Sequence, residues 1–227
     1  MPRMALAVLS PVLLVTGVLL VADHEYGRTE PEVQLETSAP ASPPPVEATA
    51  PPSTVPDQSG VPVQLVIPVA SSHHPDGVTA PVTADRLLPN GDLFVPPDPL
   101  TVSWASDDEM PGAGRGTAIL VGHVNFGHVE GALSDLAEYA ASAVGSDVTV
   151  VLADGRRLSY RVTGGVQYDK DQLAADPELR RTIYDQESTF GDGVGSGRLV
   201  LVSCGGAFDH RTGNYEDNVF VFATPVG

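Results

Sequence analysis

The stretch DVTVVLADGRRLSYRVTGGVQY, Asp147 to Tyr168, consists of two β-rich runs meeting at Ala153-Asp154-Gly155. Valine, threonine and tyrosine fill the two arms, side chains that suit a pleated, half-buried surface. Asp-Gly accepts positive φ cheaply at a tight turn, so the segment predicts a β-hairpin. Four further runs share its character: VPVQLVIPV (Val61 to Val69), TAILVGHV (Thr117 to Val124), RLVLVSC (Arg198 to Cys204) and NVFVFATPV (Asn218 to Val226). Each is β-branched or aromatic and bounded by Gly, Pro or Asp. Only two segments have helical character. ALSDLAEYAA, Ala132 to Ala141, carries Leu133, Leu136 and Tyr139/Ala140 at helical spacing, and DQLAADPELRRTIY, Asp171 to Tyr184, is interrupted by Pro177. Many short strands with one or two short helices argue for a mainly β domain. A closed or nearly closed barrel is expected, with a sandwich as the alternative.

Ahead of this domain the composition changes twice. Met4 to Ala22, MALAVLSPVLLVTGVLLVA, carries no charge, and roughly 19 apolar residues cross a hydrocarbon core of ~30 Å as a helix. A cleaved signal peptide is the competing reading, but its apolar region is usually ~7–15 residues and ends in small side chains. The longer run, with Leu20 two places before Ala22, favours an uncleaved anchor. Arg3 ahead of the run keeps the start inside and sends the rest of the chain out. Thr29 to Gly60 is crowded with Pro, Ser, Thr, Ala and Glu, a composition that buries too little apolar surface to offset its ordering entropy. The expected layout is a transmembrane anchor with its flank over 1–28, a disordered linker over 29–60 and one folded domain over 61–227.

Charge removes one class of function. With 12 basic against 29 acidic residues the chain has a formal charge of -17, which repels a phosphate backbone, so no nucleic-acid partner is expected. The single cysteine forms no internal disulfide, and the fold does not depend on cross-links.

That cysteine, Cys204, closes the run RLVLVSC and is followed by Gly205 and Gly206. His123 sits in the same way near the end of TAILVGHV. A thiol becomes a nucleophile when an acid–base partner is near it in the fold rather than in the sequence, and two strand ends on one rim of a barrel meet that condition. The competing reading is a buried, inert cysteine and a structurally satisfied histidine. Attack on a carbonyl also needs donors for the oxyanion. Arg211 is the only arginine after Cys204, beside the turn-forming Thr212-Gly213-Asn214. A metal site drawn from His73, His74, His123, His128 and Cys204 is the weaker reading, because no ligand spacing of the zinc type is present. His128 and His210 are expected in exposed loops.

GHVN (Gly122 to Asn125) together with LVLVSCGGAFDHRTGNYEDNVFVFAT (Leu199 to Thr224) resembles the sortases, membrane-anchored cysteine transpeptidases of Gram-positive bacteria. The actinobacterial class E/F group is the nearest, with its Gly-His-Val, Thr-Cys-Gly-Gly-x-Phe-Asp and Tyr-x-Asp-Asn elements. NGDLFVPPDPLTVSWASDDEMPGAGRGTAILVGHV, Asn90 to Val124, carries further landmarks in the family's order. Ser203 stands where threonine is usual, and Asn125 where aspartate often follows Gly-His-Val.

The resemblance implies a closed eight-stranded sortase barrel behind the anchor and linker, extracellular on a single-pass membrane protein. It implies that Cys204 attacks the Thr–Gly bond of an LPxTG-like sorting signal to form an acyl-thioester, and that His123 protonates the departing amine. A cell-wall precursor or pilin amine would then resolve the thioester. The family's arginine role matches less well: Arg211 is the nearest arginine, and Asn218 and Arg115 are the other candidates. No cofactor and no metal is implied. The alternative from another class is a catalytically inert, sortase-like surface binding module.

Overall fold

The computed structural model describes residues 60–190 and 197–226. The expected anchor and most of the expected linker lie outside the described residues. Among those described, no helix is long and apolar enough to cross a membrane.

Ten strands and three short helices follow in the order β1 (Pro62–Ile67), β2 (Val78–Asp85), β3 (Val102–Ala105), β4 (Thr117–Val121), β5 (Asn125–Phe126), β6 (Val129–Glu130), α1 (Leu136–Ser142), β7 (Asp147–Leu152), β8 (Arg157–Asp169), α2 (Lys170–Ala175), α3 (Pro177–Ile183), β9 (Arg198–Asp209) and β10 (Asn214–Pro225). Eight of these strands close a barrel in the order β1-β2-β3-β4-β9-β10-β8-β7, and β5 pairs with β6 as a separate ribbon. The barrel, not the sandwich, is the fold. Its ladders are antiparallel except β2 with β3 and β4 with β9.

The hairpin expected at Asp154-Gly155 joins β7 to β8. Gly155 adopts φ 85°, and its N–H donates to the Leu152 carbonyl at 2.9 Å. Asp154 accepts from the Arg156 N–H at 3.0 Å, fastening the turn from the other side.

Three helices stand where one or two were expected, because Pro177 divides the second helical segment. Proline lacks the N–H and is accommodated at a first helical turn, not in an interior. Pro177 accordingly opens α3, while Asp176 caps it by accepting from the Leu179 N–H at 2.9 Å.

Alternation along the strands divides the apolar side chains between two cores. Leu120, Leu199, Leu201, Val219 and Val221 point into the barrel, which Leu133, Leu136 and Tyr139 of the α1 region help to fill. Ile119, Val121, Val200, Val202 and Phe220 point out of it, against Leu173 of α2 and Ile183 of α3. Burial on both faces explains why TAILV and RLVLV run apolar without alternation. Each such side chain contributes roughly 1.5–3 kcal/mol when fully withdrawn from water. Arg198 fastens α3 to the barrel: its guanidinium donates to the Thr117 hydroxyl at 3.0 Å and to the Ile183 carbonyl at 2.8 Å. The outer core and its helices form the floor and wall of the groove described next.

Candidate active site

One rung of the barrel sets the site. Val121 of β4 pairs with Val202 of β9, Val202 with Phe220 of β10, and Phe220 with Val166 of β8. All four belong to the outer core or pack against it. Side chains alternate with a period of two along a strand, so the residues two places further on leave the barrel on the same outer side. Those residues are His123, Cys204, Asn218 and Tyr168, with Asn218 the direct ladder partner of Cys204 on one side and of Tyr168 on the other. The Gly122 N–H donates to the Val202 carbonyl at 3.0 Å, carrying the β4–β9 ladder one step beyond β4 and steering His123 toward the thiol side.

His123, Cys204 and Asn218 all line a groove of about 1100 Å³ whose apolar floor includes Val121 and Val202. Both His123 and Cys204 are half-buried. The His123 Nε2 lies 2.7 Å from the Pro96 carbonyl oxygen, which can only accept, so the neutral ring carries its proton on Nε2 and leaves Nδ1 free. The Phe126 ring packs against it at 5.4 Å. Nearby, Asp98 is held below the usual carboxylate range chiefly by the Thr101 hydroxyl and the Leu100 N–H, with His123 adding to the effect.

Cys204 is not at the end of a strand: β9 runs on to Asp209 as a polar extension paired with the start of β10. A register shift falls between Tyr215 and Asp217, and Phe208 of this extension lines the groove together with Asn214 and Tyr215 of its partner strand. The two glycines serve that geometry. A Cβ on Gly205 would sit 2.5 Å from Val219, and Gly206 adopts φ 74° with its Cα turned against the Asp217 carboxylate.

The Asn125 amide donates to the Tyr215 hydroxyl at 2.9 Å, tying the β5 end of the groove to β10. Lys170, the only lysine in the chain, also lines the groove. Its ammonium stands 3.6 Å from the Cys204 Sγ and 2.9 Å from the Asn214 Oδ1. Sequence reading missed Lys170, which the fold places two residues past Tyr168, the partner of Asn218 in the ladder.

Arg211 lies elsewhere. Its side chain is 86% exposed and pairs with Asp209 at 3.3 Å in the β9–β10 turn, and it is not among the residues lining the groove. Arg115 is likewise exposed and outside the lining. His128 and His210 are exposed. His73 and His74 are held on the α1 side of the barrel, His73 by Asp135 and His74 by the Gly131 carbonyl, apart from Cys204. Among the described residues no group of three or more His, Cys, Asp or Glu is placed to hold a metal ion.

A family model described as "Sortase domain" matches residues 74–226. Among solved structures the chain is similar to sortase C1 of GBS Pilus Island 1, at 13% identity over 73% of this chain and 65% of that one, TM-score 0.47. It is also similar to a lid mutant of sortase A from Corynebacterium diphtheriae, at 13% identity over 74% and 70%, TM-score 0.48. A third is sortase C-1 from Actinomyces oris, at 17% identity over 73% of each chain, TM-score 0.47. The chain therefore spans less than two thirds of the first of these proteins. Among curated proteins none matches. The family match runs from ahead of β2 to the end of β10 and takes in both segments that carry Cys204 and His123, so the chain belongs to the sortase family.

Proposed function

We propose that the chain is a cysteine transpeptidase that cleaves an LPxTG-like sorting signal between Thr and Gly and passes the acyl group to a cell-wall or pilin amine. The observation that carries this reading is that Cys204 and His123 stand two residues beyond one shared rung and line one groove. The Gly-His-Val element at Gly122 and the Cys-Gly-Gly-x-Phe-Asp element at Cys204 support a place in class E/F.

In the first half-reaction the Cys204 thiol passes its proton to the free His123 Nδ1, and its sulfur attacks the scissile carbonyl carbon. A C–S bond forms and the carbonyl π pair moves onto oxygen. As the pair returns, the C–N bond breaks and the leaving amine takes a proton from the His123 Nδ1, leaving an acyl-thioester. In the second half-reaction an incoming amine loses a proton to His123, attacks the thioester carbonyl and expels the Cys204 thiolate. Water in place of the amine gives hydrolysis. The apolar floor withdraws the extended peptide from solvent and orients it, which lowers the entropic part of the barrier.

The anchor expected over 1–28 and the linker over 29–60 support a single-pass membrane protein with its catalytic domain outside, where sorting signals and acceptor amines are found. The test is to incubate the full-length chain with an LPxTG-type peptide and weigh the products. A covalent acyl adduct on Cys204, absent from Cys204→Ala, is expected. Absence of the adduct in the wild type would leave the inert binding module as the better description.

A further inference from the structure

Among the described residues, one ammonium reaches the sulfur of Cys204. Lys170 opens α2 directly after β8, and the Asp169 side chain caps that helix by accepting from the Gln172 N–H at 2.9 Å, which fixes the turn from strand to helix and so the origin of the lysine stem. From there the Nζ reaches across β10 to 3.6 Å from Sγ, and it is held at its other side by the Asn214 Oδ1 at 2.9 Å. The Asn214 Oδ1 is itself oriented by the Tyr215 N–H at 2.9 Å. The other cations near the groove are committed elsewhere. Arg180 lines it but donates to the carbonyls of Leu173 and Ala174, Arg198 is buried against Thr117 and the end of α3, and Arg211 pairs with Asp209 in solvent.

From this placement we infer that Lys170 is the cationic oxyanion donor of the reaction, taking the part for which Arg211 was the sequence candidate. The inference rests on the transpeptidase reading of the groove. When Cys204 attacks a carbonyl carbon, the oxygen that gains the electron pair lies within one bond of the new C–S linkage. It is therefore within reach of an ammonium that already stands beside the sulfur. The ammonium has three N–H groups; one is engaged by Asn214 and one is directed at the Cys204 sulfur, which leaves the third to meet the oxyanion. A lysine held by a neutral amide acceptor keeps its positive charge available, whereas a carboxylate partner such as the one Arg211 has would neutralise it. Asn218, registered against Cys204 and lining the same groove, is positioned to assist with its amide.

The experiment compares the full-length wild type with Lys170→Met, Lys170→Arg and Asn214→Ala on two acyl donors, an LPxTG-type peptide and p-nitrophenyl acetate. Either donor forms a thioester on Cys204 through an oxyanion, but only the peptide needs the sorting-signal subsites. Lys170→Met is expected to lower kcat for both about 10²–10³-fold, the usual cost of losing one oxyanion donor. KM should stay within about two-fold and the melting temperature should be unchanged. Lys170→Arg should recover part of the rate, and Asn214→Ala should lose much less than Lys170→Met.

A Lys170→Met enzyme with kcat within about two-fold of wild type overturns the inference. So does an Asn214→Ala enzyme as slow as Lys170→Met, since the lysine would then act as a tether for the β9–β10 turn. If the wild type is acylated by p-nitrophenyl acetate in a Lys170-dependent way but never by the peptide, the donor role stands and the proposed substrate falls.

Discussion

The Nε2 of His123 lies 2.7 Å from the carbonyl oxygen of Pro96, so the chain between β2 and β3 decides which imidazole nitrogen is left for the reaction. Replacing His123 by Gln keeps a polar side chain of similar reach but no group that shuttles a proton. The expected result is a loss of about 10²–10⁴ in kcat, the usual share of a general acid–base. Iodoacetamide should still label Cys204 to completion. Wild-type turnover in His123→Gln, measured by peptide cleavage, would remove this residue from the mechanism.

Asp108 lines the groove at the Tyr184 side. Burial, and then the charge of Asp107, push its carboxyl up to about 6 from 3.8. Because the folded state holds the proton more tightly, stability is full below about pH 3.8 and falls as the pH rises to about 6, beyond which a constant penalty remains. A shift of that size is worth about 3 kcal/mol, which solvent screening at a partly exposed side chain reduces to on the order of 1 kcal/mol. Asp108→Asn should therefore melt above wild type near pH ~8 and level with it near pH ~3.5. Equal melting at both pH values in a thermal scan would contradict this.

His73 and Asp135 join the segment after β1 to the start of α1, with Nδ1 2.5 Å from the carboxylate and the His73 N–H 2.7 Å from its other oxygen. The hydrogen bond to Asp135, and then its charge, hold His73 above 6.5. Burial works against the Asp135 charge, yet the bonds from His73 keep that carboxyl below 3.8. On the histidine side the stabilisation is complete below about pH 6.5 and disappears as the pH rises through the folded value. On the aspartate side it is present above about pH 3.8 and disappears in acid. His73→Ala should lower the melting temperature most between these limits, with the deficit shrinking toward pH ~9. A deficit that grows with alkalinity would show that another group carries the pH dependence.

Gly206 adopts φ 74° with the Asp217 carboxylate packed against its Cα. A side chain there is strained by about 1–2 kcal/mol in the left-handed region alone, and the added methyl must also displace Asp217. Gly206→Ala should lower stability by more than ~1 kcal/mol in a denaturant titration. It should also slow acylation of Cys204, because the β9–β10 extension has to shift. A variant as stable as wild type would mean that the extension tolerates a different path.

The hairpin at Asp154-Gly155 and the apolar runs of β4, β9 and β10 were legible because local propensity and burial on two faces both mark them as strands. β2 and β3 were not. VTAPVTAD alternates strictly, burying Val78, Ala80 and Val82, but its inward side chains are small and Pro81 lies within the strand, so it does not stand out as an apolar run. VSWA is four residues long and owes its conformation to β2 and β4 on either side. The same distinction governs the site. His123 and Cys204 end recognisable apolar runs, so their neighbourhood followed from strand logic. Lys170 sits in a strand-to-helix turn whose direction is set by the Asp169 cap, and no pattern in the sequence reports where such a stem points.

The parallel pairing of β4 with β9 joins residues such as Thr117 and Arg198 that are 81 apart in the chain, with α1 and the β7–β8 hairpin threaded between them. Closing so long a loop carries its entropic cost before any contact offsets it, so long-range pairings of this kind form late in folding. His123 and Cys204 stand two steps beyond that ladder and come to line one groove only once it has zipped. A chain whose β9 has been made but not yet paired with β4 thus carries a cysteine thiol without its imidazole neighbour, and the groove that holds both exists only when the last two strands have closed the barrel.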